Sequence, residues 1–530
     1  MNRVLRRLRE LMNGAGAALG TDRLIAVALG LAAASLYLIA RCVFYNFDAL
    51  SAAEAVEVAP FLELFHPHHL LYKPVCRLVY AGARLVGYGG RALGPMHVVS
   101  AVAGGTGAAF LFLLSRKLGA SRLPALGAGL VLATASGYWL VAAGVENGVF
   151  GAAAALAALY VAATVPRGSV KAAALAGVAA AASALCHQIN FLLGPAALLY
   201  ILTTGTARKK KALAFAAAFA VGAVLLYGLA PAALLGLWTP TAYADWFLYY
   251  ARAGPWGGLA RGNFGLAADG LARAFYVNSF ADNVAAPFVR GDAGLLRFAL
   301  PLWLAAAAAG ATLVRWLVRA RRRSPLTLPA ATFLAYGLFI FWWLPGHADY
   351  WLVPAACLAG AVAVAVSGSG KRWGRVSLIA LAAAWAGIAA VNWQDGVRPR
   401  LHMEANPDYR AAVTLSRLVP SDGLCYLASS DALMYARYFG GLKRARTPNW
   451  AVSRFGGDRK KAARRIRRLV RRELKSGRPV YVGDRAFPDA DGPRLRKLGK
   501  RLVAKGHPIG SYAGADMSET VYILTPAAGF

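Results

Sequence analysis

Tyr45-Asn46-Phe47-Asp48-Ala49-Leu50-Ser51-Ala52-Ala53-Glu54, then Glu57, Glu63 and His66-Pro67-His68-His69-Leu70-Leu71-Tyr72-Lys73-Pro74, is the stretch that decides how this chain is read. It gathers four acids and three of the eight histidines directly after a long apolar run. Between Glu63 and Asp245 the only acid is Glu146. Carboxylates this sparse, grouped at one membrane boundary, point to a polar site built there.

The surroundings of that stretch fix the class of protein. The chain has 530 residues, of which 58% are hydrophobic, more than a soluble domain carries. Apolar runs recur, each near the roughly 20 residues needed to cross a bilayer. The expectation is a mainly α, polytopic transmembrane helical bundle with a small C-terminal α/β domain. Eleven spans are expected: Leu24–Tyr45, Pro95–Ser115, Leu123–Ala143, Gly148–Val165, Ala172–Cys186, Ile189–Thr206, Ala212–Trp238, Leu295–Val318, Leu326–Leu344, Trp351–Val366 and Val376–Trp393. The first run follows Arg3, Arg6, Arg7 and Arg9, is longer than a signal-peptide core and lacks a small-residue cleavage pattern, so it reads as an uncleaved span. The five cysteines are scattered, with no spacing for a metal knuckle or a disulfide framework.

The net charge of +35 argues for topology rather than for nucleic acid. Basic residues cluster in short links: the N-terminus, Arg116-Lys117, Arg167 with Lys171, Arg208 to Lys211, Arg319 to Arg323, and Lys371-Arg372 with Arg375. By the positive-inside rule these links face the cytoplasm. The alternate links carry Asp48 to Tyr72, Glu146, His187, Asp245 to Asp292 and His347-Ala348-Asp349, and so share the outer face. Residues 1–393 then form the membrane domain, with an outer loop over 46–94, and residues 394–530 form a separate extracytoplasmic domain. That tail holds 27 Lys and Arg against 12 Asp and Glu. Long domains translocate regardless of charge, so the short links decide its side. Its β-like runs (Leu424–Ala428, Pro479–Gly483, Thr520–Leu524) alternate with helical ones (Asp431–Phe439, Asp458–Lys475, Pro493–Lys505). Asp458–Lys475 is basic nearly all round, with a narrow stripe of Ile466, Leu469, Val470 and Leu474. It reads as a solvated helix or as a contact for anionic headgroups, or for an acidic acceptor, at a membrane surface.

The outer-face residues suggest chemistry. Asp48, just past the first span, is placed to act as a general base, or to cap the helix that follows. Glu54 and Glu57 share a face of that helix. His66, His68, His69, Tyr72 and Lys73 combine phosphate donors with an apolar Leu-Leu-Tyr surface, which suits a lipid headgroup. A divalent metal is the rival reading, but adjacent His68 and His69 lack the i, i+4 spacing of a helical zinc pair. Glu146 stands between two uncharged spans, a functional candidate by depth. His187-Gln188 occupies the next outer turn, Tyr243, Trp246, Tyr249, Tyr250, Arg252, Trp256 and Arg261 fill the long outer loop, and His347, Asp349 and Tyr350 open the tenth span.

With these residues assembled, the chain resembles the GT-C superfamily of integral-membrane glycosyltransferases, most closely the relatives of family 39, which include protein O-mannosyltransferases and the lipid A aminoarabinose transferase. Asp48 matches the family's acid after the first span, His66 to Tyr72 its His/Pro stretch, Glu146 its second outer acid, and His347-Ala-Asp349-Tyr350-Trp351-Leu352-Val353-Pro354 its charged-Tyr-Pro run. The usual Pro-Pro-Gly-Tyr is His-His-Leu-Leu-Tyr here, the second acid is Glu, and the Arg before the late Tyr is absent. The resemblance implies an inner-membrane enzyme of the cell envelope with a polyprenyl-phosphate sugar donor and a glycan, lipid or protein acceptor. It implies Asp48 as base, inversion at the anomeric carbon, and Lys73, His68, His69 and His187 on the leaving phosphate, with no required cofactor. Two rivals stand beside it. A flippase or transporter of lipid-linked glycan would carry charges inside its spans. An O-antigen ligase or polymerase would use a diphosphate-linked donor and a large late outer loop.

Overall fold

The computed structural model describes residues 20–249, 257–277, 293–319, 324–448, 451–452, 458–487, 493–515 and 517–528. Helices run in the order α1 (Thr21–Ile39), α2 (Phe47–Val58), α3 (Tyr72–Leu85), α4 (Leu93–Lys117), α5 (Arg122–Thr134), α6 (Ser136–Ala143), α7 (Asn147–Thr164), α8 (Val170–Cys186) and α9 (Leu193–Thr203). They continue with α10 (Arg208–Leu235), α11 (Pro240–Phe247), α12 (Asn263–Phe275), α13 (Ala293–Arg319), α14 (Ser324–Trp343), α15 (Leu352–Gly368) and α16 (Lys371–Val391). Among the described residues eight helices are long and apolar enough to span a membrane, and α5 with α6 makes a ninth if the bent pair is one span. This is an integral membrane protein.

Each expected span contains helix, the first ending at Ile39 rather than Tyr45, and there are two further differences. Leu123–Ala143 is not one rod: it breaks at Ala135 and bends by 61°. No proline marks the break. The Thr134 carbonyl at the break accepts from Asn392 Nδ2 at 2.9 Å, and Thr134 Oγ1 accepts from Trp385 Nε1 at 2.8 Å. Neighbouring side chains thus satisfy polar groups that lipid could not. The second difference is that α8 and α9 are short, 17 and 11 residues, because the chain leaves helix to form the turn that carries His187.

Small residues let the helices approach closely. A Cβ on Gly105 of α4 would lie 2.2 Å from the Gly30 carbonyl oxygen of α1, and one on Gly177 of α8 would lie 2.4 Å from the Phe215 carbonyl oxygen of α10. With no hydrophobic drive between helices in lipid, such backbone contact supplies the packing.

The chain divides into two compact units, residues 1–42 with 56–399, and residues 43–55 with 400–530. The second unit begins at Arg400 rather than 394 and takes in Val43–Ala55, because that segment bonds to the tail. Val43 N–H donates to the Arg400 carbonyl at 2.8 Å, Tyr45 N–H to Tyr435 Oη at 2.6 Å, and Arg437 pairs with Glu54 at 2.7 Å.

The tail contains α17 (Pro407–Leu418), β1 (Leu424–Tyr426), α18 (Ser430–Tyr438), β2 (Ala445–Arg446), α19 (Arg459–Lys475), β3 (Val480–Gly483), α20 (Pro493–Ala504), β4 (His507–Ala513) and β5 (Ser518–Leu524). The sheet order is β2-β1-β3-β5-β4, with β1 parallel to β2 and β3 and the other pairs antiparallel. The narrow stripe of α19 faces this sheet: Ile466, Val470 and Leu474 join the core with Leu424, Val480 and Leu524, and Leu469 packs at its edge. One charge goes in with them. The Glu473 side chain is 1% exposed and receives Arg444 and Arg478, each at 2.8 Å. Hydrogen bonds from Arg444, then Arg478, hold its carboxyl down to about 2.

The folded pKa is depressed, so the stabilisation from Glu473 is full above the ordinary carboxyl value and is lost as pH falls toward 2. Glu473→Gln leaves two guanidinium groups short of their partner and is expected to cost on the order of 2 kcal/mol or more. Amide hydrogen exchange of β1 and β3 in the purified chain checks this. Protection should drop in the variant at pH 7, and the gap should narrow in acid.

Candidate functional site

The site grows from one tight turn. Pro67 presets the second position of the turn His66-Pro67-His68-His69, which closes with the His69 N–H on the His66 carbonyl at 3.1 Å. Two backbone bonds fasten this loop to the turn between α8 and α9: Gln188 N–H to the His68 carbonyl at 2.8 Å and Leu71 N–H to the Leu185 carbonyl at 3.0 Å. They bring His68 and His187 edge to face, with ring centroids 4.5 Å apart. His66 and His69 stack at 5.0 Å. Tyr350 lies beside His187 at 6.0 Å, His68 at 6.4 Å and His347 at 5.9 Å. His347 Nδ1 faces Asp349 at 3.7 Å. Tyr249 sets its edge against His66 at 5.7 Å, and Trp246 Nε1 donates to the Phe65 carbonyl at 3.4 Å. Tyr250, Arg252 and Trp256 of the same expected loop lie outside the described residues.

Four residues that composition could not single out hold this arrangement. A Cβ on Gly151 of α7 would lie 2.5 Å from the His187 Cβ, so only glycine leaves room for the ring. Asn190, 1% exposed, donates to the Gly151 carbonyl at 2.9 Å and the Ser183 carbonyl at 3.0 Å, and accepts from Tyr336 Oη at 2.8 Å. Ser100 Oγ contacts Tyr72 Oη at 3.4 Å and the backbone of Glu146 at 3.3 Å, which ties two expected site residues to α4. Asn147 Nδ2 reaches His69 Nε2 at 3.4 Å.

Burial disfavours the protonated form of the clustered histidines. Burial holds the His66 imidazole down to about 3, aided by the Lys73 and His68 charges, and holds His68 down to about 4. Burial also pushes His69 and His187 well below the ordinary value. Neutral rings have one N–H each, and their neighbours fix which nitrogen carries it. His66 Nδ1 accepts from the His68 N–H and His187 Nδ1 from the Ile189 N–H, each at 3.3 Å, so both carry hydrogen on Nε2. With its Nδ2 turned to His69, the Asn147 amide donates to Nε2, and the ring hydrogen then sits on Nδ1. That atom is buried, with no hydrogen-bond partner among the described residues. The fixed positive charge is that of Lys73, which acts on both His66 and His69. Among the described residues no three His, Cys, Asp or Glu side chains converge as metal ligands.

The acids are distributed differently. Asp48 is exposed in the first turn of α2, but Asn46 supplies the helix cap, its Oδ1 accepting from the Ala49 N–H at 2.8 Å. Glu54 pairs with Arg437 within the tail unit. Glu57 takes Arg91 at 2.6 Å and the Ala92 N–H at 2.9 Å.

No family model matches this chain, and no curated protein matches it in sequence. Solved structures do. ArnT from Cupriavidus metallidurans in the apo state matches with a TM-score of 0.57 over 96% of this chain and 98% of that one, at 14% identity. The same protein bound to undecaprenyl phosphate matches equally. The oligosaccharyltransferase of Archaeoglobus fulgidus matches with a TM-score of 0.52 over 93% of this chain and 73% of that one, at 12% identity. The fold is therefore shared with these two proteins. Within this fold the histidine cluster belongs to the membrane unit, while Asp48 counts with the tail unit.

Two outcomes follow from the geometry. Gly151→Ala should displace His187 and lower the melting midpoint, at a cost of about 1–3 kcal/mol. Gly148→Ala, whose nearest contacts would be 3.7 Å away, serves as the control. In the chain labelled at its histidine rings, His68 should titrate near 4 and not near 6.5. A buried histidine with a depressed pKa stabilises the fold fully above its unfolded value. The site should therefore loosen as pH falls from 6.5 toward 4.

Proposed function

We propose that this chain is an integral-membrane glycosyltransferase that moves a sugar from a polyprenyl-phosphate donor to a glycan, lipid or protein acceptor outside the cytoplasm. The reading is supported above all by the preset N–H donors of uncharged, buried imidazoles beside Lys73. The GT-C fold adds to it, since an ArnT of that fold is bound to undecaprenyl phosphate. The distribution of basic links supports an N-terminus in the cytoplasm and a tail outside an inner, cytoplasmic membrane.

In this mechanism Asp48 accepts the proton of an acceptor hydroxyl. The freed oxygen attacks the anomeric carbon in line, the bond from that carbon to the phosphate oxygen breaks, and the configuration inverts. Polyprenyl phosphate leaves with the electron pair. Charge grows on the phosphate as the bond breaks, and this is where fixed donors count most. His66 Nε2–H and His187 Nε2–H are held in place before the reaction, so little reorganisation is needed. Buried surroundings strengthen each bond, because the medium around it is less polarisable than water. Lys73 contributes the full positive charge. Tyr350 offers a ring face to the donor, buried Tyr72 acts from behind the loop as a positioning residue through Ser100, Gln188 and Glu146 border the donor, and His347 with Asp349 lies at its rim. Glu54 and Glu57 act as positioning residues through Arg437 and Arg91.

A reconstituted chain supplied with polyprenyl-phosphate-linked sugar should release polyprenyl phosphate in step with sugar transfer. Asp48→Asn should cut that rate by at least about a hundredfold while leaving the fold and donor binding intact. Transfer at the parental rate by Asp48→Asn would remove Asp48 as the base. Failure of the parental chain with every polyprenyl-phosphate donor would remove the transferase reading.

A further inference from the structure

We propose that the tail domain holds a second binding site, separate from sugar transfer, for a phosphate-bearing ligand at the carboxyl ends of its parallel strands. The topology marks the place. From β1 the chain crosses through α18 to β2 on one side, then returns through α19 to β3 on the other. The connections therefore diverge between β1 and β3. In open α/β sheets the crevice outside the strand ends at such a switch point is where ligands bind.

A cavity of about 600 Å³ lies there. Ala428, just after β1, and Arg485 and Phe487, just after β3, line it together with Arg496 and Lys500 of α20 and with Met517. Arg496 and Lys500 are four residues apart on one helix, so they project from the same face. Among the described lining residues three exposed basic side chains stand against one acid, Asp484. That acid is held by the sheet: Asp484 Oδ1 accepts from the Thr520 N–H at 3.0 Å, and the Asp484 N–H donates to the Thr520 carbonyl at 2.9 Å. The sign of the rim favours an anion, and paired guanidinium and ammonium groups suit phosphate. The apolar walls at Phe487 and Met517 leave room for a compact body, such as a sugar ring or the glycerol of a headgroup.

The strands beneath the cavity are locked in place. Glu519, 2% exposed, accepts from the Ala428 N–H at 3.2 Å and from the Tyr512 hydroxyl. A Cβ on Gly483 would lie 1.9 Å from its Oε1, so glycine is needed where β3 passes this carboxylate. The carboxylate thus ties the end of β1 to β5, and the crevice is preformed rather than a gap between mobile loops.

Sugar phosphates and phospholipid headgroups share this chemistry, and the test separates them. The full-length chain in neutral detergent is titrated with glucose 1-phosphate, glucose, dihexanoyl phosphatidic acid and dihexanoyl phosphatidylcholine. Amide exchange at residues 484–487 and 495–504 is the readout. Protection by glucose 1-phosphate and not by glucose supports a soluble phosphate ligand. Protection by the phosphatidic acid alone supports a headgroup. In either case Arg496→Ser with Lys500→Ser should weaken binding by at least about tenfold, the loss expected from two charge-assisted contacts. Both positions are exposed, so an unchanged melting midpoint certifies the variant's fold. No protection by any probe up to about 10 mM, or protection untouched by the double variant, overturns the proposal. Because the readout is binding in the tail, its failure leaves the sugar-transfer reading standing, and the reverse also holds.

Discussion

The approach of His187 to Gly151 is the contact on which the membrane site depends. Any side chain on α7 at that point would meet the base of the imidazole. With the space open, the turn after α8 folds down, Asn190 locks it to the Gly151 carbonyl, and the Gln188 N–H catches the His68 carbonyl. His68, His69 and Tyr350 then assemble around His187. Burial follows from that packing, and neutrality follows from burial. In a neutral ring a backbone N–H donated to one nitrogen leaves the single ring hydrogen on the other, which aims it. The cluster is a set of directed donors, and Lys73 supplies the charge.

The tail obeys a different electrostatic logic. It is strongly basic, yet it buries carboxylates, Glu473 and Glu519 most completely among the described residues. Glu473 is ionised by two arginines, whereas burial, opposed by hydrogen bonds from Tyr512 and the Ala428 amide, raises the Glu519 carboxyl. The first fixes α19 to its surroundings, and the second fixes the strand ends. The same unit grips residues 43–55 through Arg400, Tyr435 and Arg437, so the segment bearing Asp48 is held by tail residues rather than left as a loose loop.

Much of this was legible in the sequence because membranes impose simple rules. Apolar runs of spanning length and the parity of basic links announced the bundle, and a fold shared with ArnT at 14% identity shows that such rules outlast sequence likeness. The His66–Lys73 cluster was visible because polar residues are rare in the first half. What was not legible were residues whose role depends on a neighbour distant in sequence. Gly151 looks like any small residue in an Ala-rich run, and Ser100 like ordinary helix composition. Asn147 and Asn190 offered a faint signal as amides amid apolar residues. The kink at Ala135 carried none, since its partner Asn392 lies far along the chain. In the tail, β2 has two residues and β4 contains Pro508 and Gly510, so neither shows a strand pattern. Neutrality of the histidines could not be read either, because it arises from burial rather than composition.

A structure of the full chain with polyprenyl phosphate bound is the most direct test. Phosphate oxygens are expected within hydrogen-bond reach, about 2.6–3.2 Å, of His66 Nε2 and His187 Nε2, with both rings keeping their present orientations. A phosphate bound away from these rings, or rings that turn over to meet it, would contradict this expectation.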